Sequence, residues 1–223
     1  ARVAELVDAL ASGASVLRDV EVQVLSRVPN KDGPKGSFLF AKINRMPHIH
    51  TEPGQHDLTT TAFIIRMIDG VPHGLLHKHR KLGLLLPVGG HVELDETPWA
   101  AVLHEIVEES GFAPEQLIVL QPKERIRQMD GVKIHPVPLF LQTHEFKQGV
   151  GHSHIDVGFL FLTDHPPANA PHEGETAEIL WLTNDEIQAR SAEMPADIAQ
   201  IYDFAFTTAL PGWERVDGEK FDR

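Results

Sequence analysis

Apolar and β-branched residues in the second quarter of the chain form short segments separated by turn residues, a pattern typical of β-strands. Residues 59–68 are rich in β-branched side chains, and residues 74–79 form a second apolar segment after an Asp-Gly pair at residues 69–70. An Asp-Gly pair between two such segments is typical of a tight hairpin turn. The next apolar block, residues 84–90, ends in two glycines and predicts a buried strand that runs into a tight loop.

The apolar period lengthens to that of a helix after residue 97. The apolar residues then recur every three or four positions and are Trp99, Val102, Leu103 and Ile106. Thr97 is a suitable N-cap, Pro98 fits the first helical position, and Gly111 fits the left-handed residue that ends a helix. We therefore predict a helix whose start and end are set by its own sequence.

Three glutamates share one face of this predicted helix. Glu105, Glu108 and Glu109 follow an i, i+3, i+4 spacing, which places their carboxylates side by side. Three such charges repel one another unless a cation lies between them, and hard divalent cations prefer oxygen ligands. The spacing therefore indicates a divalent metal site, although glutamates on a helix are more often a solvated face.

The remainder of the chain predicts a mixed sheet followed by helices. The predicted strands are residues 116–120, one or two strands within residues 132–146, residues 155–163 and residues 179–182, and the predicted helices are residues 185–193 and 196–209. A proline-rich loop at residues 164–176 precedes the last strand. Residues 1–56 are predicted to be an N-terminal extension with a short helix at its start and a strand at residues 37–43.

Composition and charge narrow the class of protein. The 223 residues carry a formal net charge of −12, which argues against a general nucleic-acid-binding or anionic-membrane surface. No apolar run approaches the roughly 20 residues that span a bilayer. The chain has no cysteine, which excludes disulfides, thiolate metal sites and cysteine nucleophiles. We expect a cytoplasmic protein with one catalytic domain, to which a phosphorylated small-molecule substrate could still bind through metal ions and which could form a homodimer.

The chain contains 14 histidines, and a strand would group some of them. His152, His154 and Asp156 alternate, which on a strand places all three on one face. Such a face could bind a borderline metal or a phosphate, or it could be a hydrogen-bonded turn. Lys81 ends a basic cluster at residues 78–81 that could contact phosphate, although charged strand ends are usually solvated.

Residues 90–112 read GHVELDETPWAAVLHEIVEESGF, and this span resembles the Nudix box, G-x5-E-x7-R-E-U-x-E-E-x-G-U, in which U is an apolar residue. The residues in register with the box are Gly90, Glu96, Glu105, Ile106, Glu108, Glu109, Gly111 and Phe112. His104 stands where the box has arginine. The similarity to the wider Nudix domain covers roughly residues 58–189.

This resemblance implies a fold and a reaction. The implied fold is an α/β/α sandwich around a mixed sheet, with an N-terminal extension at residues 1–56, a Nudix domain at residues 57–190 and a C-terminal helix and tail at residues 191–223. The implied reaction is hydrolysis of a diphosphate linkage in a nucleoside diphosphate linked to another moiety, with Mg²⁺ or Mn²⁺. A diphosphate carries concentrated negative charge, so its hydrolysis needs metal ions that neutralise this charge and activate a water.

The resemblance also implies roles for residues of this chain. The implied metal ligands are Gly89, through its carbonyl oxygen, and Glu105, Glu108 and Glu109. Glu105 and Glu109 are the implied catalytic residues, and Glu105 is a candidate to orient or deprotonate the attacking water. The alternative is a base from a later loop, for which Glu175 is the second candidate. The candidate substrate-binding residues are Lys81, His152, His154 and Glu175.

Two further residues are expected to support the site. Glu96 stands at the helix start, where the helix dipole favours negative charge. In the family, the arginine of the box holds a glutamate through an ion pair, and histidine is a shorter side chain than arginine. We expect protonated His104 to pair with Glu108, four residues further along the helix. The alternative is a tolerated replacement with no role.

Two other function classes are compatible with this fold. A non-catalytic Nudix-fold module would bind a nucleotide as a sensor, but it would not need all three glutamates. An isomerase acting on a prenyl diphosphate would be expected to use a cysteine acid, which this chain lacks. The moiety beyond the diphosphate stays open among nucleoside triphosphates, nucleotide sugars, dinucleoside polyphosphates and capped RNA.

Overall fold

A computed structural model of the protein describes residues 54–80, 82–146, 152–172 and 176–221. The elements predicted for the N-terminal extension all precede residue 54 and lie outside the described residues. Two of the candidate substrate-binding residues, Lys81 and Glu175, also lie outside them.

One mixed β-sheet forms the centre of the described chain. Its strands are β1 (His56–Ile68), β2 (Val71–His79), β3 (Leu85–Leu86), β4 (Val88–His91), β5 (Ile118–Gln121), β6 (Phe140–Phe146), β7 (His152–Thr163), β8 (Thr176–Leu182) and β9 (Glu214–Asp217). Their order is β3-β2-β1-β7-β5-β9, with β4 also paired to β1, β6 to β7 and β8 to β2. β1 and β7 run parallel, whereas the other pairs are antiparallel. The predicted mixed sheet is therefore confirmed.

The hairpin between β1 and β2 turns at the predicted Asp-Gly pair. Asp69 and Gly70 have φ angles of 50° and 79°, so both lie in the left-handed region. Two consecutive left-handed residues match the twist of the flanking strands, and Asp-Gly is a preferred pair for this turn. β1 begins before residue 59, where the predicted strand starts, because its parallel pairing with β7 extends to His56 opposite Ser153.

The apolar block at residues 84–90, predicted as one strand, is two short strands that pair with different partners. β3 pairs with β2, with Leu86 opposite His77, whereas β4 pairs with β1, with Val88 opposite Ala62. Pro87 lies between the two strands, and proline cannot donate a hydrogen bond to a sheet. The chain therefore changes partner strand at Pro87 and delivers the two glycines to β1.

Helical segments cover both faces of the sheet. They are α1 (Pro98–Glu105), α2 (Asn184–Ala189), α3 (Ala196–Phe204) and the short α4 (Leu210–Gly212). A π-helical segment, Ile106–Ser110, extends α1, and another, Ala205–Ala209, joins α3 to α4. The helix predicted for residues 185–193 ends at Ala189 and is followed by a 3₁₀ turn, Ser191–Glu193.

The hydrophobic core has one part on each face of the sheet. On the α1 face, Trp99 and Ile106 pack with Ile64 and Phe161 of the central strands. On the opposite face, Tyr202 of α3 packs with Phe63 and other side chains from alternate positions of the same strands. Because the sheet is covered on both faces, the fold is the predicted α/β/α sandwich.

Two strand predictions need correction. Residues 132–139, predicted as strand, precede β6 without regular structure, and two of them are prolines, which cannot donate to a ladder. β9 was not predicted, because its sequence, Glu-Arg-Val-Asp, has a single apolar residue, Val216. Pairing of β9 with β5, with Val216 opposite Val119, makes this segment a strand.

Candidate active site

The α1 helix begins as its sequence predicts. Thr97 has extended backbone angles, and its side chain accepts a 3.1 Å hydrogen bond from the Ala100 N–H. Pro98 occupies the first turn, where a missing N–H costs nothing. In the loop just before the helix, the Glu96 carboxylate accepts a 3.0 Å hydrogen bond from the Glu93 N–H. Glu96 therefore closes the loop between the glycine pair and the helix.

The end of this helical segment is wider than a regular α-helix. Glu105 is the last residue of α1, whereas Glu108 and Glu109 belong to the π-helical segment that follows. π-Helical turns occur frequently at functional sites. The segment ends at Gly111, with φ of 74°. A Cβ at Gly111 would come within 2.1 Å of the Asn169 carbonyl oxygen, so the loop after β7 packs directly on this helix end.

Glu105 lies against the glycine pair. A Cβ on Gly90 would be 2.0 Å from Oε1 of Glu105 and 2.5 Å from its Cδ. The absence of a side chain at Gly90 therefore makes the space in which this carboxylate lies. Gly89 is needed for another reason, because a Cβ there would be 2.4 Å from the Thr60 carbonyl oxygen of β1.

Glu109 contacts the same glycine pair. Its Oε2 accepts a 3.0 Å hydrogen bond from the Gly89 N–H, and Nε2 of His77 lies 3.7 Å from the same oxygen. Glu109 is only 6% exposed and His77 only 1%. A carboxylate this buried is stable only with polar partners, which β2 and β4 provide here.

His77 is neutral at physiological pH. Burial lowers its pKa to about 4, the neighbouring His79 adds to this, and a hydrogen bond with the Pro87 backbone acts in the opposite direction. The imidazole therefore contacts Glu109 as a polar neutral group. The sequence prediction missed His77, although its place directly after the apolar pair Leu75 and Leu76 in a predicted strand is a signal that could have marked it.

Glu108 makes different contacts from the other two glutamates. Its Oε1 lies 3.1 Å from Nε2 of His104 and 3.7 Å from Nδ1 of His172. The His172 N–H also donates a 2.8 Å hydrogen bond to the Glu108 carbonyl oxygen. The expected i, i+4 contact between His104 and Glu108 is thus present, and a residue from the loop after β7 adds to it.

The candidate residues His152 and His154 lie away from the three glutamates, on the opposite face of the sheet. Both are buried, at 4% and 7% exposure, and alternate along β7 with the buried Asp156. His154 pairs with Asp57 of β1 in the sheet register, and the imidazole of His91 from β4 packs edge-on against its ring. The structure therefore groups these histidines with Asp57 and His91, which the sequence prediction did not single out.

Asp156 is held by two threonines of β1 on that face. Its carboxylate accepts hydrogen bonds from the hydroxyls of Thr59, at 3.2 Å, and Thr61, at 2.9 Å. Burial raises the pKa of Asp156, and the two threonine hydrogen bonds partly oppose this rise. Asp156 therefore has a hydrogen-bonding role within the sheet.

The structure thus divides the predicted site residues into groups. Glu105 and Glu109 meet at Gly89 and Gly90, Glu108 contacts His104, and Glu96 closes the preceding loop. The pair His152 and His154 lies on the other face of the sheet.

Among the helices of the described residues, none has the length and apolar character that a bilayer crossing requires.

Comparison with solved structures identifies proteins of the same fold. A NUDIX-family hydrolase from Clostridium perfringens superposes with a TM-score of 0.52 and 23% identity, covering 66% of this chain and 97% of that one. An Ap4A hydrolase from C. elegans, in a binary complex, gives 0.51 and 20% identity over 70% and 98% of the two chains. A NUDIX hydrolase from Nitrosomonas europaea gives 0.51 and 17% identity over 77% and 97%. At these identities the likeness is one of fold.

Comparison at the level of sequence identifies the family. No curated protein sequence gives a significant match. The NUDIX domain family model, however, matches residues 58–203, which is more than half of the chain and includes the glycine pair and the three glutamates. The chain therefore belongs to the NUDIX family.

Proposed function

We propose that the protein is a metal-dependent hydrolase that cleaves a diphosphate linkage in a nucleoside diphosphate linked to another moiety. The observation that carries this proposal is the meeting of two carboxylates, those of Glu105 and Glu109, at the two adjacent glycines of β4. Membership of the NUDIX family supports the same reaction class. A module that only binds nucleotides would have no need to keep both carboxylates at this position.

The donor atoms at this position fit a hard divalent cation. Glu105, Glu108 and Glu109 offer carboxylate oxygens, and Gly89 offers a backbone carbonyl, whereas the imidazole near Glu109 is buried on β2. Oxygen donors suit Mg²⁺ and Mn²⁺. We propose these four residues as the ligands of one or more such ions. A bound ion would neutralise phosphate charge and lower the pKa of a water that attacks phosphorus.

The residues of the chain would orient the carboxylates before the substrate binds. The Gly89 N–H and the neutral His77 fix the position of the Glu109 carboxylate by contacts at 3.0 and 3.7 Å. The bare Cα of Gly90 lets Glu105 lie close to the backbone. Such preorganisation is the main way in which a protein accelerates a charged transition state.

We propose Glu105 as the residue that orients or deprotonates the attacking water. It is less buried than Glu109, and its carboxylate lies beside Gly90 of β4, where a substrate phosphate can approach the backbone. Glu175, the alternative base, and Lys81, a candidate phosphate contact, are outside the described residues and stay proposals from the sequence. The experiment must therefore compare the two candidate bases, Glu105 and Glu175, and also test the proposed metal ligands.

The substrate screen covers four classes of nucleotide-derived diphosphate. The C. elegans structure with the same fold is that of an Ap4A hydrolase, so dinucleoside polyphosphates are tested beside nucleoside triphosphates, nucleotide sugars and capped RNA. We propose a nucleotide-derived diphosphate and leave the second moiety to direct measurement.

The test is a phosphate-release screen over those four substrate classes with Mg²⁺ and with Mn²⁺. Wild type, Glu105→Gln, Glu109→Gln and Glu175→Gln are compared, with Glu115→Gln as the matched control, because Glu115 is an exposed glutamate just beyond the same helical segment. We expect turnover of at least one class, a loss of about 100-fold or more for Glu105→Gln and Glu109→Gln, and wild-type rates for Glu115→Gln.

Two outcomes would overturn the proposal. No turnover of any diphosphate by wild type, together with tight nucleotide binding, would establish a sensor instead. Full activity of both Glu105→Gln and Glu109→Gln would show that the reaction takes place elsewhere. A greater loss in Glu175→Gln than in Glu105→Gln would move the base to the later loop and keep the metal ligands.

A further inference from the structure

A second group of metal-ligating side chains lies across the sheet from the three glutamates. It consists of Asp57, His91 and His154, which we call the Asp-His cluster, and His152 lies beside it. None of these residues belongs to the glutamate-bearing helix. The Asp-His cluster therefore needs an explanation separate from the proposed hydrolase site.

The register of three strands creates this cluster. On β1, Asp57 stands next to His154 of the parallel β7, and Thr59, two residues further on the same face, stands opposite His91 of β4. Side chains of paired residues in neighbouring strands point to the same face of a sheet. Three strands from distant parts of the sequence thus direct two imidazoles and one carboxylate to the same place.

The distances within the cluster suit one metal ion that all three side chains bind. One ligand atom from each of Asp57, His91 and His154 lies within 4.8 Å of the other two. Nε2 of His91 is 3.7 Å from Oδ2 of Asp57. The ligand atoms around a tetrahedral ion with bonds of ~2.0 Å are about 3.3 Å apart, so a movement of less than about 1.5 Å would bring all three into coordination.

The fourth side chain, His152, extends the same arrangement. Its Nε2 lies 3.8 Å from Oδ2 of Asp57 and 3.3 Å from Nε2 of His154. This distance is that of a hydrogen bond between the two imidazole rings. Both can instead offer their lone pairs to an ion placed between them, as imidazoles do in metal sites.

Burial strengthens the case for a cation. The Asp57 side chain is 0% exposed and that of His91 is 24% exposed, so the carboxylate is inside the protein while one edge of the cluster is reached by solvent. The attraction between a cation and a carboxylate is stronger in buried surroundings than in water. A divalent ion that entered past His91 would lie beside this buried carboxylate.

We propose that the Asp-His cluster binds one divalent transition-metal ion through Asp57, His91 and His154. Two imidazoles and one carboxylate are a donor set for Zn²⁺, Fe²⁺, Co²⁺ or Ni²⁺, whereas Mg²⁺ prefers oxygen donors alone. The remaining coordination positions are taken by His152 or by water. The two faces of the sheet therefore carry sites of different metal preference.

The position of the ion indicates what it does. His91 is the last residue of β4, and Gly89 and Gly90 come just before it in the same short strand. An ion that joins His91 to β1 and β7 would fix the end of β4 and, with it, the glycine pair against which Glu105 and Glu109 lie. The effect on stability follows mass action, because the folded chain alone presents these ligands together.

The experiment is a metal titration of the full, untagged chain after treatment with a chelator. Zn²⁺ binding is measured by calorimetry, and the visible absorption of Co²⁺ reports its coordination, both with excess Mg²⁺ present to occupy oxygen-only sites. The variants are His91→Gln and His154→Gln. The controls are His144→Gln, whose ring lies 5.3 Å from that of His154 without belonging to the cluster, and Glu109→Gln.

We expect one ion of Zn²⁺ or Co²⁺ per wild-type chain and a Zn²⁺-dependent rise in melting temperature. Affinity should fall at least tenfold in His91→Gln and His154→Gln and stay at the wild-type value in both controls. His91 is partly exposed, so His91→Gln should fold even if His154→Gln does not, and its metal-free melting temperature checks this.

Either of two results would overturn the proposal. One is that wild type binds no ion under these conditions, and the other is that folded His91→Gln binds Zn²⁺ as tightly as wild type. Loss of Zn²⁺ binding in Glu109→Gln would also count against it, since the ion would then be in the glutamate site. Because binding is measured without substrate, failure here is distinct from failure of the proposed hydrolysis.

Discussion

The carboxylate of Glu105 occupies the space that a side chain at Gly90 would fill. A Cβ on Gly90 would be 2.0 Å from Oε1 of Glu105, much closer than real Cβ atoms approach other atoms. The last residue of α1 is thereby placed directly beside the backbone of β4. This contact connects the helix of the three glutamates to the strand end, and it provides a sharp test of the proposed site.

Substitution of Gly90 by alanine should reduce activity more than stability. The new methyl group would push the flexible end of Glu105 aside, while the buried core around α1 would stay intact. A displacement of about 1 Å at a reacting group can lower a rate on the order of 100-fold. We expect a fall in kcat of about 10- to 100-fold for Gly90→Ala, measured with the substrate found in the screen, with little change in melting temperature.

A matched glycine provides the control for this prediction. A Cβ on Gly212 would have open space within 4 Å, and the residue does not have a positive φ, so Gly212→Ala should keep wild-type activity. If Gly90→Ala had the same kcat as Gly212→Ala, Glu105 would not need its position at the glycine pair.

Loss of the His104 side chain should weaken metal binding and so raise the metal concentration that activity requires. His104 holds Glu108 at 3.1 Å, and groups that orient metal ligands typically change affinity by 10- to 100-fold. For His104→Ala we expect a rise of about 10-fold in the Mg²⁺ or Mn²⁺ concentration that gives half-maximal activity. His104→Arg should keep the wild-type value, because a guanidinium can make the same contact.

Variants of two other histidines test whether the effect on the metal requirement is specific to His104. His172→Ala should have a smaller effect than His104→Ala, since its Nδ1 is 3.7 Å from Glu108 and its side chain is 59% exposed. His165, an exposed residue of the same loop, serves as the control. An unchanged metal requirement in His104→Ala would mean that histidine is only tolerated at this position.

The ion pairs of Glu214 should make the attachment of β9 sensitive to acid. Glu214 accepts bonds from both Nη atoms of Arg127, at 2.6 and 3.1 Å, and a further bond from Arg125. Hydrogen bonds from Arg127 and then from Arg125 lower the pKa of Glu214 from 4.5 to about 2. A lowered carboxyl pKa adds stability above the unfolded-state pKa, and this stability is lost as the pH falls from about 4.5 towards 2.

Glu214→Gln should therefore melt below wild type at pH 7, and the difference should narrow as the pH is lowered to 3. Melting curves of the two proteins at pH 7, 4 and 3 measure this. Glu219→Gln, at an exposed glutamate of the same C-terminal segment, is the control. A difference in melting temperature that is the same at pH 7 and pH 3 would contradict a role for the charge.

Removal of the Tyr202 hydroxyl should destabilise the whole described fold. This buried hydroxyl donates a hydrogen bond to the Leu75 carbonyl of β2, and burial raises its pKa. A buried acceptor that loses its donor costs about 1–2 kcal/mol. Tyr202→Phe should lower the free energy of unfolding in urea by about this amount, within one cooperative transition. The control is Thr208→Ala, at an exposed position of the same helical segment, which should leave the free energy of unfolding unchanged.

A separate, earlier transition in Tyr202→Phe would have a different meaning. It would show that the segment after residue 190 unfolds independently of the sheet. The family model, which continues to residue 203, favours a single unit. The boundaries at residues 56 and 190 stay predictions.

The elements that the sequence predicted well are those set by local interactions. Thr97, Pro98 and Gly111 act within one turn of the helix that they bound, so the sequence alone predicted both ends of the glutamate-bearing helical segment. The spacing of the three glutamates and the Asp-Gly hairpin turn are equally local. Membership of the family followed from the same short span.

Pairing between strands that are far apart in the chain determined the elements that the sequence did not predict. Val216 lies in a strand only because β5 provides a partner, and the apolar block around Pro87 divides because its two halves pair with different strands. Neither partner is encoded in the period of the segment itself. Such segments change structure with their neighbours, since strand formation depends on cross-strand contacts.

The sequence by itself therefore predicted which carboxylates are candidate metal ligands, because their spacing along one helical segment is a local pattern. The tertiary structure alone decided what lies around them: His77 beside Glu109, the glycine backbone under Glu105, and the separation of His152 and His154 onto the other face of the sheet. It also brought Asp57 and His91 to these histidines. The physical reason is that a sheet register joins residues far apart in the chain, and no local pattern specifies that register.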